Sequence, residues 1–168
     1  MKSQKIRLAL ISLWLGAMIL FSFVVAPAAF AVLPEARLAG NLVSRVLLIV
    51  EILGLILGLT TLLILILCRE RRSKAILFES RSYLIELSGL ILMLATTGVS
   101  RFVVSNRLGD LRESYGEQIS TLSQSDPIRL TFNQYHKFSV WLMGFNIIAA
   151  LVLIVIIILR SESSNRNG

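Results

Sequence analysis

Four apolar runs, at about 8–30, 44–67, 83–104 and 136–159, constrain this chain more than anything else in it. A run of ~20 apolar residues is the length that crosses a bilayer as a helix. Inside lipid a helix satisfies its own backbone hydrogen bonds, so these runs predict membrane helices. They take up more than half of the 168 residues, which leaves no room for a separate soluble domain. With 55% hydrophobic residues, 16% charged ones and a mean hydropathy of +0.78, the whole chain fits one unit. The expectation is a single domain over 1–168: an all-α, integral membrane four-helix antiparallel bundle.

The net charge of +7 does not point to nucleic acid, because the basic residues flank the apolar runs and form no continuous patch. They read instead as topology. Lys2, Lys5 and Arg7 precede the first run, Arg69, Arg71, Arg72, Lys74 and Arg81 follow the second, and Arg160 and Arg166 follow the fourth. That places ten basic residues on one side and seven on the other: Arg37, Arg45, Arg101, Arg107, Arg112, Arg129 and Lys137. Short loops rich in Lys and Arg stay cytoplasmic, so both termini are expected inside. With acids included, the net charge is +6 inside and +1 outside. The inner basic collar should hold anionic lipid headgroups. The expected location is a cell membrane, the inner membrane if the source is bacterial.

The first run follows three basic residues, and Ala29-Phe-Ala31 resembles a signal cleavage site. A signal core has roughly 7–15 apolar residues, and this run is longer, so a retained helix is expected. The segment 33–41 ties the first two runs into a hairpin. Between the third and fourth, Leu108, Leu111, Tyr115, Ile119 and Leu122 repeat at helical spacing, which predicts a short amphipathic helix in the outer 105–127 segment. Asp126-Pro127 predicts the start of the last helix, with an acid that caps and a proline at the first position. Tyr135 and Trp141 suit an aromatic belt. Cys68 is the only cysteine, so no internal disulfide forms.

Within the second run, Glu51, Gly54, Gly58 and Thr61 recur at helical spacings of three and four. Gly54, Gly58 and Thr61 form a small-residue stripe where another helix can pack closely. Glu51 is different. It lies ~10 Å inside the run at 1.5 Å per residue, and an acid at such depth is costly unless it is paired, protonated or facing water. Its candidate partners are Arg101, Arg45 and His136. On the third run Glu86, Gly89, Met93, Thr97 and Ser100 share a stripe, with Arg81 or the Arg69–Arg72 cluster expected to pair with Glu86. On the fourth, His136, Ser139, Met143, Asn146 and Ala150 do the same. The candidate intramembrane polar cluster is therefore Glu51, Arg101, His136 and Asn146.

One histidine cannot supply a bis-histidine haem site, and one histidine with scattered acids is a poor zinc or copper site. No cofactor or metal is expected. No nucleophile–base arrangement, phosphate loop or dinucleotide motif is present, so an enzyme is not expected.

Several segments together carry a likeness: Leu13-Trp14-Leu15-Gly16-Ala17-Met18, Phe23-Val24-Val25-Ala26-Pro27-Ala28-Ala29-Phe30, Ala39-Gly40, and later Arg129, Phe132, His136, Ser139 and Asn146. The chain resembles the domain of unknown function 4149 group, the transmembrane protein 205-like family of small four-helix membrane proteins. That resemblance implies a multi-pass membrane protein and supplies no catalytic residues. The leading expectation is a structural or accessory protein, associating with a second copy or a membrane partner. A small transporter or proton-coupled permeation unit using the outer polar residues is the alternative. A haem- or metal-binding redox subunit is the weakest.

Overall fold

A computed structural model describes residues 2–69, 77–115, 119 and 122–166, with backbone alone at 69, 77–82 and 160–166. The described residues form four long helices and no strand. Helix α1 runs over Lys2–Val32, α2 over Ala36–Arg69, α3 over residues 77–115 and α4 over Pro127–Arg166. All four are long and apolar enough to cross a membrane. They pack in cyclic order, α1 on α2, α2 on α3, α3 on α4 and α4 back on α1. The first and third helices therefore stand at opposite corners, as do the second and fourth. Both termini lie at one end of this antiparallel bundle.

The outward faces are apolar and exposed, with Phe23, Ile56, Ile91 and Ile148 among them. Lipid tails are as apolar as these side chains, so what holds the helices to one another is close packing and interhelical hydrogen bonding. The core is built from Ile11, Trp14, Met18, Leu90, Met93 and Ile157, all nearly inaccessible. Asp126 caps α4, with its Oδ1 accepting from the Ile128 N–H at 2.8 Å, and Pro127 occupies the first helical position as its sequence predicts.

Two of the helices contain a π-turn. In α1 it covers Phe21–Val25, just before Pro27. Proline has no N–H to donate and crowds the carbonyl four residues earlier, and a wider turn accommodates both. In α3 the π-turn covers Ser100–Val104, and the helix then continues through Ser105–Tyr115. The helix expected within 105–127 is thus present over these residues as an unbroken extension of the third span. Of the rest of that segment, 116–118 and 120–121 lie outside the described residues.

Candidate functional site

Gly54 and Gly58 face inward, against Trp14 of α1. A Cβ on Gly54 would lie 2.3 Å from Trp14 Nε1, and one on Gly58 would lie 2.9 Å from Trp14 Cζ3 and 2.7 Å from Leu94 Cδ2. The glycine pair is the notch that lets an indole enter the bundle core. Thr61 is buried and donates to the Leu57 carbonyl of its own helix at 2.7 Å.

Glu51 lies one turn beyond this notch and is 3% exposed. Its Oε1 accepts from Ser100 Oγ at 2.5 Å, and Ser105 Oγ donates to both carboxyl oxygens at 3.2–3.3 Å. The π-turn makes this double contact. In an α-helix residues advance by ~100° each, so positions five apart point about 140° away from one another. A π-turn closes i to i+5, and here the Ser105 N–H bonds to the Ser100 carbonyl. The two serines are thereby stacked on one face, the face toward α2.

Asn146 of α4 is buried as well. It accepts from Thr96 Oγ1 at 2.9 Å and donates to Thr97 Oγ1 at 3.3 Å, while Thr97 donates to the Met93 carbonyl at 2.8 Å. Between this group and Glu51 lies a cavity lined by Trp14, Met18, Val50, Glu51, Thr97, Ser100, Met143 and Asn146. Every helix of the bundle contributes to it. It offers about 10 Å³ to the centre of a water-sized sphere, which is room for roughly one water-sized particle.

The structure brings Glu51 and Asn146 of the expected cluster to one cavity and leaves the other two members outside it. Arg101 is within electrostatic range of Glu51, but its Nη1 donates to Asn106 of its own helix at 3.2 Å. His136 is exposed, and the charge close to it is that of Arg112. Arg112 in turn donates to Ser44 and lies over the Phe132 ring, 5.3 Å from its centroid. Arg45 makes no hydrogen bond to Glu51. Ser105 was not among the expected site residues. At α-helical spacing it falls on a different face from Ser100, and only the π-turn brings it round.

The second buried acid has a different environment. Glu86 is fully buried near the end that carries the termini, and Arg7 of α1 forms an ion pair with it across the bundle. The expected pairing of Glu86 with Arg81 or the Arg69–Arg72 cluster falls on side chains outside the described residues, and Arg7 was not expected to turn inward. One turn before Arg7, Gln4 Nε2 bonds to the Ile157 carbonyl at 2.7 Å and ties α1 to α4.

Four apolar helices around a small polar interior define an integral membrane protein of the four-helix type. The chain belongs to the family described as Domain of unknown function (DUF4149), whose model matches residues 9–117. That stretch covers nearly all of α1, then α2 and α3, and so contains Glu51, Ser100 and Ser105. It ends before α4, where Asn146 and the last of the resembling segments lie. No curated protein and no solved structure is matched by the chain.

Proposed function

We propose that this protein is a small ion-coupled transporter or permeation unit whose working group is the Glu51 carboxyl. The observation that carries this reading is the contrast between the two buried acids among the described residues. Glu86 has a cationic partner, Arg7, as an acid that fixes helix register should. Glu51 is as deeply enclosed, yet the side chains bonding to it are two serine hydroxyls, and it borders a water-sized cavity. An ionisable group in a span is costly unless it is paired, protonated or in contact with water. A proton or another cation arriving at Glu51 supplies the balance.

The accessory reading has less support. The small-residue stripe offering itself to a second copy is filled from within by Trp14. The protein is read as a binding and translocating one, with no catalytic step. The excess of Lys and Arg at the termini end supports a cytoplasmic position for that end, with anionic headgroups against it.

Proteoliposomes carrying a pH-sensitive dye test the proposal under imposed pH and salt gradients. Wild-type protein should dissipate at least one of these gradients faster than protein-free vesicles, and Glu51→Gln should return the rate to the vesicle background. Equal rates for wild type and Glu51→Gln would overturn it.

A further inference from the structure

We propose that the cavity beside Glu51 is a binding site for one desolvated, water-sized monovalent cation of the sodium, potassium or ammonium class. The inference rests on Glu51 being the working group and names the ion that this group holds.

Size is the first argument, since about 10 Å³ for the centre of a water-sized sphere admits one such particle. Charge is the second. A monovalent cation cancels one carboxylate, whereas a divalent ion would leave a surplus positive charge inside an apolar bundle. Calcium also seeks 6–8 oxygen ligands, and magnesium keeps several of its waters, for which there is no space.

The lining is the third argument. Glu51, Thr97, Ser100 and Asn146 bring hard oxygen atoms, and these outnumber the two thioethers of Met18 and Met143. Trp14 adds an indole, the aromatic group that attracts cations most strongly. Among the described residues no group of three or more His, Cys, Asp or Glu could hold a transition metal. The hydroxyls are held in place beforehand. Thr97 is fixed by Met93 and Asn146, and Ser100 sits at the start of the π-turn.

Thermal unfolding of the detergent-solubilised full chain tests this in sodium, potassium, ammonium and choline chloride at equal ionic strength. Choline is too large for the cavity. At roughly a hundredfold excess over Kd, a fitting cation should raise Tm by about 5–10 °C relative to choline. Glu51→Gln should abolish that difference. A Trp141→Phe variant leaves Trp14 as the only tryptophan, and its fluorescence should respond saturably to the same cation. This second readout stands even if Glu51→Gln folds poorly. Identical Tm values in all four salts with no Trp14 response would overturn the proposal, as would an equal rise in wild type and Glu51→Gln. Gradient dissipation that depends on Glu51 but not on the salt would leave the functional reading standing with the proton as its ion. Cation binding without any flux would do the reverse.

Discussion

Ser100 and Ser105, five residues apart on α3, both donate to the carboxyl of Glu51 on the neighbouring α2. The π-turn between them makes this geometry, because it holds one residue more than an α-turn does. Deleting the exposed Val103 should restore an α-turn with the two serines four apart, about 40° round from one another and both still toward Glu51. Loss of a hydrogen bond to such a group costs ~1–3 kcal/mol. Unfolding should show a loss of that size in Ser105→Ala and a smaller one in the deletion variant. A Ser105→Ala variant as stable as wild type would mean that the second serine does not hold the carboxyl.

The ion pair between Arg7 and Glu86 makes a separable prediction. Removing one partner strands a buried charge, and such changes cost ~3–5 kcal/mol. Arg7→Met or Glu86→Gln alone should therefore destabilise the bundle strongly. Arg7→Met combined with Glu86→Met should recover most of the loss, because the stranded charge is gone. Thermal unfolding of the three variants checks this, and a double variant as unstable as the sum of the singles would refute it.

Trp14 in its glycine notch predicts a steric coupling. Gly54→Ala places a methyl group where the indole lies, and overpacking of this kind costs ~1–3 kcal/mol. Trp14→Phe should lose stability by itself but relieve much of the effect of Gly54→Ala. A double-mutant cycle in detergent measures the coupling, and strictly additive effects would contradict the packing described here.

The orientation proposed from charge can be read with thiols. Cys68 is exposed at the end that carries the termini. An impermeant maleimide should reach it from the cytoplasmic side alone. With Cys68→Ser as background, Gln124→Cys should be labelled from the opposite side alone. The reverse pattern would invert the assignment.

Much of this bundle was legible in the sequence because the signals were periodic. Glu86, Met93, Thr97 and Ser100, read as one stripe, are all buried in α3. Ser139, Asn146 and Ala150 of the α4 stripe are buried too, while His136 is not. The site itself was only half legible. A fixed α-helical period cannot place Ser105, because a single π-turn shifts every later position. It also cannot tell that Arg101 will bond along its own helix, or that Arg7 will turn inward from a terminus that reads as a basic flank. Those choices depend on where partner helices present acceptors, which no local pattern encodes.

Infrared difference spectroscopy of the carboxyl stretch tests most directly whether Glu51 exchanges its balancing charge. Recorded across pH and across salts on protein in lipid, wild type should show a carboxyl band that appears and disappears. Glu51→Gln should lack that band, and Glu86→Gln should retain it. If no band assignable to Glu51 changes under any of these conditions, the carboxyl is locked in one state, and Glu51 is a structural group.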